Sequence, residues 1–479
     1  MRFDLAIIGS GSAASIPPEV GGMRIALIEG ATPYGGTCLN HGCIPTKMLV
    51  HPADLAGSVD EAERLGVDLR LAGVRWTDIR DRIFAQRIDR ISRAGYEWRR
   101  SPEGGATVYD GWARFTAPGR LRVELHDGTA EDIEAERVLI GAGSRPFIPD
   151  IPGLDAVRAA APDRVHTNQT IMRVATQPRR LLIVGGGFVG CEFAHIFSGF
   201  GTEVTQVVRS SRLLRNEDAD VSARMTELAP ARWRLMVESR VAELSPARGG
   251  GVRARVSTPD GDLPLDVDAI LLATGRVPNS DRLGLEAAGV AVHPDGRIAV
   301  DEFQRTTAAG VFALGDVSSE HMLKHVANHE ARVAFHNLAH PDALIAADHR
   351  HVPHAVFTHP QIAAVGLTEQ QARERLGADV TIAVEDYGSV AYGWAMEDTT
   401  GFVKLVADRR RDRLVGAHLI GPQASTLVQT LVQAMSFEQP ASALARGQYW
   451  IHPALPEVIE NALLSLELGD PGQPDPLLR

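Results

Sequence analysis

One pattern, used twice, constrains this chain more than any other feature. Residues Phe3 to Gly11 read FDLAIIGSG, an apolar strand running into a G-x-G turn, and Arg180 to Gly190 read RLLIVGGGFVG, an apolar strand running into G-x-G-x-x-G. Each is followed by a helix-compatible stretch and then a second apolar strand, MRIALIE ending at Glu29 and TEVTQVV ending at Val208. Strand, glycine turn, helix and strand make the βαβ unit of dinucleotide-binding folds. Its first glycine forms the tight turn, its second lets a pyrophosphate approach the backbone, and the helix N-terminus offers donors to the anion. One such fingerprint is a weak signal. Two further segments echo each other, GAGSRP after the strand RVLI and ATGRVP after the strand AILL. Each sets a glycine and an arginine (Gly275 and Arg276 in the second) just past a buried strand. Together they predict an α/β chain with two Rossmann-like units.

The 479 residues carry a formal charge of −11, with 44% hydrophobic and 23% charged residues. At about 100–200 residues per domain this suggests roughly three domains, each able to bury a core. The composition excludes a disordered chain, and no apolar run reaches the ~18 residues of a membrane span. The acidic balance argues against nucleic-acid binding, which needs clustered Lys and Arg. Asp4 breaks the first apolar run, so the N-terminus does not read as a signal peptide and the chain is expected in the cytoplasm. After Val311–Val317 (VFALGDV) and a helical stretch MLKHVANHEARVAFHNL, the pattern changes near residue 347 to short alternating strands followed by helices. That is α+β rather than doubly wound. Only three lysines occur, Lys47, Lys324 and Lys404, against a large arginine excess. A lysine kept under such a bias is a candidate for a task that arginine cannot perform.

In the first fingerprint Gly9 and Gly11 are followed by Ala14, and Pro17-Pro18 predict that the next helix ends after about one turn. Glu29, at the end of the second strand, suits ribose hydroxyls and would repel a 2′-phosphate. The second fingerprint has Gly185, Gly187 and Gly190, and where the first unit has Glu29 it has Arg209, with Arg215 six residues on. Two guanidiniums there fit the 2′-phosphate of NADPH, and as surface arginines they would simply be solvated. Cys38 and Cys43 sit in GGTCLNHGCIPTK, ahead of a helix expected from Pro45. A free thiol is only about 3% ionised at pH 7, and a helix N-terminus stabilises the thiolate. A metal site would need about four ligands, and no second Cys/His cluster stands at metal spacing. Cys191 reads as a small core residue. His452 and Glu457, in HPALPE, have the spacing of an oriented acid–base pair, with Glu457 in the first turn of a helix begun by Pro456.

The motifs GGTCLNHGCIPTK, the two fingerprints, ATGR, ALGDV and HPALPE, in that order, resemble the FAD-containing pyridine nucleotide–disulfide oxidoreductases over nearly the whole chain. That resemblance implies residues 1–152 as the first part of an FAD-binding domain, 153–276 as an inserted NADPH-binding domain, and 277–346 as the second part of the FAD-binding domain. It further implies 347–468 as a dimerisation domain and 469–479 as a flexible tail. It also implies the chemistry. NADPH, held by Gly185, Gly187, Gly190, Arg209 and Arg215, gives a hydride to FAD lying on Gly9, Gly11 and Glu29, with Thr37 and Lys47 near the flavin. Asp316 meets the ribityl chain, Glu192 pairs with Lys47, and His325 begins a helix against the flavin. The Cys38–Cys43 disulfide is then reduced. Cys43 remains as a charge-transfer thiolate, Cys38 attacks a small-molecule disulfide, and His452, oriented by Glu457 and supplied by the partner of a homodimer, protonates the leaving thiol.

MLKHVANHEARV, YGSVAYGWAMEDT and RGQYWIHPALPEVIENALL resemble the branch acting on a sugar-thiol disulfide. The tail has no cysteine pair of the kind carried by mercuric reductases. Dihydrolipoamide dehydrogenases have an acidic residue where Arg209 stands, and glutathione reductases share the arginine pair. A dihydrolipoamide dehydrogenase, a glutathione-reductase-like enzyme and a flavoprotein kept only for partner binding remain the alternatives.

Overall fold

The structure is a computed structural model and describes residues 1–247 and 249–468. The expectation of a tail at 469–479 lies outside the described residues. Seven helices matter below: α1 (Gly36–Asn40), α2 (Cys43–Arg64), α3 (Phe188–Gly199), α4 (Ala219–Leu228), α5 (Lys324–Ala339), α6 (Glu369–Leu376) and α7 (Glu457–Leu464).

The first sheet is built around Arg2–Ile8, which runs parallel to Ile25–Glu29 on one side and to Ala130–Ile140 on the other. Leu5 and Ile7 face Phe335 and Leu338 of α5, whereas Phe3, Ala6 and Ile8 face a layer containing Leu121, Val123 and Ile133. Burial on both faces explains why the strand reads as an unbroken apolar run rather than an alternating one. Val311–Ala313 joins this sheet beside Ala130–Ile140, so the chain leaves after Ile140 and returns much later. In between lies a parallel sheet of Arg234–Met236, Glu203–Val207, Arg180–Val184, Ala269–Leu272 and Val165–His166. The two segments that echo each other in sequence pair directly, Arg276 opposite Pro146 and Pro278 opposite Ser144. The two units therefore meet at their matching turns.

The last sheet is antiparallel, in the order Pro353–Val356, Gln361–Gly366, Arg413–Gly421, Phe402–Asp408, Val380–Asp386. Four of its strands are visible in the sequence. Val380–Asp386 is not, because it ends in Glu385-Asp386 and is only partly buried. One boundary also shifts. The helix expected from Pro45 starts at Cys43, since proline is tolerated in a first turn where its missing N–H has no partner to lose. After the first fingerprint the chain forms only two short 3₁₀ turns, Ser12–Ala14 and Pro18–Val20, as Pro17-Pro18 predict. Among the described residues no helix is long and apolar enough to cross a membrane.

Candidate active site

Each fingerprint closes on its partner turn in the same way. Gly9 has φ +106°, and a Cβ there would collide with the carbonyl oxygen of Gly141; Gly185 has φ +127°, and a Cβ would collide with that of Ala273. Only glycine fits such a turn. At Gly11 and Gly187 a Cβ would meet nothing within 4 Å, so the space over both turns is open. Gly190 packs on the carbonyl of Gly185, and Gly275, at φ +121°, faces open space. Glu29 is fixed at the end of its strand by N–H donors from Ser10 (2.7 Å, to Oε2) and Ala31 (2.6 Å, to Oε1). Each oxygen keeps a lone pair for a hydroxyl. Arg209 and Arg215 are exposed beyond Glu203–Val207, and among the described residues neither is ion-paired.

The cysteine loop is packed on the first fingerprint. A Cβ at Gly36 would lie 2.8 Å from the Cα of Gly11, and the N–H of Gly35 donates to Ser10 Oγ at 2.8 Å. Buried Asn40 ties the loop down through donors to the carbonyls of Pro33, Tyr34 and Gly36. Thr37 and Cys38 lie on α1, and Cys43 is the first residue of α2. The side chains of Cys38 and Cys43 are joined by a hydrogen bond when both are free thiols. That bond from Cys38, helped by the nearby Lys47 ammonium and opposed by burial, lowers the Cys43 pKa to about 7. The same bond, with burial, pushes Cys38 upward.

Lys47 lies one turn beyond Cys43 on α2. Its Nζ stands 2.7 Å from both carboxylate oxygens of Glu192 on α3 and 4.4 Å from the ring centre of Phe357. Phe357 returns the contact, its N–H donating to Glu192 Oε1 at 3.0 Å. Asp316 accepts from Ser144 Oγ (2.6 Å), and Arg276 donates to both Ser144 Oγ (2.7 Å) and its carbonyl (2.8 Å). Lys324, at the start of α5, donates to Ser12 Oγ at 2.8 Å. Its neighbour His325 is exposed, with Nε2 2.8 Å from the Pro353 carbonyl.

His452 Nδ1 is 2.6 Å from Glu457 Oε1, and the other carboxylate oxygen accepts the N–H of Ala454 at 3.0 Å. The bond to His452 is the leading reason that Glu457 titrates below the usual range. The dyad is therefore formed, but within one chain no hydrogen bond or ion pair among the described residues joins it to the cysteines. The residues just before it are exposed and apolar: Tyr449 and Ile451 are each 74% exposed or more.

The family model described as pyridine nucleotide-disulphide oxidoreductase matches residues 3–331, and that of its dimerisation domain matches residues 352–463. The chain belongs to this family. It is 51% identical over 472 residues to a mycothione reductase of Mycobacterium tuberculosis, covering 97% of this chain and 99% of that one. It is 32% identical to a glutathione reductase of Burkholderia cepacia (95% and 97% covered) and 32% identical to a dihydrolipoyl dehydrogenase of Mycobacterium leprae (97% and 98% covered). Among solved structures, the HOCl-induced flavoprotein disulfide reductase RclA of Escherichia coli superposes with a TM-score of 0.82 at 28% identity, covering 96% of this chain and 99% of that chain.

As a member of this family the chain is an oxidoreductase of the flavoprotein disulfide reductase type, working with FAD and NAD(P)H. The residues present fit both groups: two open glycine turns, a fixed carboxylate at the end of one second strand and two free guanidiniums after the other. Sequence reasoning missed Phe357, Ser144 and the Lys324–Ser12 contact, and it singled out Arg276 without its bonds to Ser144. The scarcity of lysine was the one available signal, and all three lysines do make a specific polar contact.

Proposed function

We propose that the chain is an NADPH-dependent flavoprotein that reduces mycothione to mycothiol, cycling Cys38 and Cys43 between dithiol and disulfide, as a homodimer in the cytoplasm. The observation that carries this reading is full-length similarity to a mycothione reductase at 51% identity, with a thiol pair seated beside Lys47–Glu192. The division at 1–152, 153–276, 277–346 and 347–468 belongs to the same proposal and is supported by the departure and return of the first sheet.

In this reading Gly9, Gly11, Glu29, Thr37, Lys47, Asp316 and His325 hold FAD. Glu192 pairs with Lys47 beside the flavin, and Gly185, Gly187, Gly190, Gly275, Arg209 and Arg215 serve the NADPH side. When bound, the flavin supplies the two-electron relay between the nicotinamide and the disulfide. The remaining steps belong to the chain itself. Cys38 holds its proton, so its attack on the substrate disulfide needs a base, the role given to the partner's His452. The sulfur–sulfur bond of the substrate breaks as the bond to Cys38 forms, and the proton taken from Cys38 passes to the leaving sulfur. Cys43, the more readily ionised of the pair, then attacks Cys38 as its thiolate. The second thiol leaves, takes a proton from solvent, and the Cys38–Cys43 bond closes. Glu457 keeps the imidazole oriented throughout.

Charged hydrogen bonds contribute about 1.5–3 kcal/mol each, so Arg209 and Arg215 together would favour NADPH over NADH roughly 10²- to 10⁴-fold. The test is NADPH oxidation by the purified protein with mycothione, glutathione disulfide and lipoamide in parallel, repeated with the Arg209→Ala/Arg215→Ala variant. Mycothione is expected to be reduced fastest, and the variant to lose its coenzyme preference. Faster turnover of lipoamide with NADH would overturn the reading.

A further inference from the structure

Phe188 is the first residue of α3 and the first bulky group after the open turn at Gly187. Its ring is not loose. It lies stacked on the imidazole of His354, with centroids 5.4 Å apart and planes 18° from parallel. His354 comes from the strand Pro353–Val356 of the C-terminal sheet. Its Nε2 stands 2.8 and 2.9 Å from the two carboxylate oxygens of Glu217, whose side chain is 2% exposed. A buried carboxylate bonded through both oxygens to one ring nitrogen leaves that ring little freedom to turn.

Glu217 is itself anchored. The next residue, Asp218, caps α4 and accepts from Lys404 Nζ at 2.8 Å, while Asp220 and Glu369 accept from the same nitrogen at 2.7 and 2.6 Å. Lys404 lies on the fully buried strand Phe402–Asp408. Upstream, the Glu217 N–H donates to the carbonyl of Leu214, and the Leu214 N–H donates to the carbonyl of Gly186 inside the fingerprint. The stretch from Leu214 to Glu217 includes Arg215. His354 therefore reaches both ends of the second nucleotide unit, the glycine turn through Phe188 and the arginine loop through Glu217.

We infer that His354 is a positioning residue for the coenzyme site. Fixed by Glu217, its ring holds Phe188 to one side of the turn at Gly187 so that the helix donors stay open to the pyrophosphate. This rests on the reading of the second fingerprint as the NADPH site. A glutamine at 354 can still donate to Glu217 but offers no ring face, which separates the stacking from the burial of the carboxylate.

The experiment is steady-state kinetics of the holoenzyme, varying NADPH at saturating mycothione, for wild type, His354→Gln, Phe188→Leu and the double variant, with His354→Phe as the variant that retains a stack. An aromatic pair of this kind corresponds to a change of roughly two- to tenfold. His354→Gln is expected to raise KM for NADPH by that factor with kcat within about twofold of wild type, since positioning acts on binding. Phe188→Leu is expected to do the same, the double variant to be no worse than either single one, and His354→Phe, which keeps a ring face but loses the bond to Glu217, to raise KM as well. An unchanged KM in His354→Gln, effects that multiply in the double variant, or a loss confined to kcat overturns the inference alone. A wild-type protein that does not bind NADPH overturns the coenzyme reading with it.

Discussion

The hydrogen bond between the two active thiols decides which of them carries charge. With Cys38 donating, Cys43 ionises near pH 7 and Cys38 keeps its proton well above that. Lys47 stabilises the Cys43 thiolate through space, and Glu192 opposes it. Replacing Lys47 by Met removes the cation and leaves the carboxylate unbalanced, and both changes disfavour the thiolate. The apparent pKa of the reduced pair is therefore expected to rise, read by thiolate absorbance or alkylation rate of the anaerobically reduced protein against pH. An unchanged profile in Lys47→Met would refute this. At this scale the sequence is informative where partners are close along the chain, as in Cys38–Cys43 and His452–Glu457. It is silent on Lys324–Ser12 and Phe188–His354, whose partners lie more than 150 residues apart and leave no local pattern.

Elements are fixed partly by their own residues and partly by buried charge between them. Lys404, on a strand in which every residue is buried, neutralises carboxylates from α4 and α6. Burial is the largest influence on Asp218 and pushes it upward, but the Lys404 bond, the Glu369 N–H and nearby positive charge together bring it below the usual range; for Glu369 the Lys404 bond is the leading cause. Carboxylates held low in the fold contribute stability above their unfolded pKa and lose it as pH falls through the folded value. Lys404→Met is expected to destabilise the protein by about 3–5 kcal/mol at pH 7, because it strands the buried Asp218 and leaves Asp220 and Glu369 without their cation. The gap from wild type is expected to narrow once those carboxylates take up protons below about pH 4. Denaturant unfolding at both pH values checks this, and an equal gap at each would contradict it. The parallel strands were legible because burial on both faces makes continuous apolar runs. Val380–Asp386 was not, because a half-exposed strand ending in two acids lacks that signature.

For the whole molecule, the exposed His452 and the exposed Tyr449 and Ile451 just before it suit a site completed across a dimer. Subunit mixing tests that arrangement. Protein with Cys38→Ser and protein with His452→Ala are each expected to be inactive in disulfide reduction. After dissociation and random reassociation, half the dimers are mixed and each has one intact site, so about a quarter of wild-type activity returns. If each chain held a complete site of its own, mixing would restore nothing. The repeated nucleotide units were legible at this scale because the same turn chemistry recurs. That Ser144–Pro146 and Arg276–Pro278 pair with each other was not, since similarity between two segments does not say that they touch.

The most direct test of electron flow through the thiol pair is alkylation and peptide mapping of the purified flavoprotein under anaerobic conditions. Oxidised protein is expected to yield a Cys38–Cys43 cross-link, one equivalent of NADPH to convert it to two alkylatable thiols, and mycothione to restore the cross-link. Cysteines that alkylate equally before and after NADPH would contradict the account.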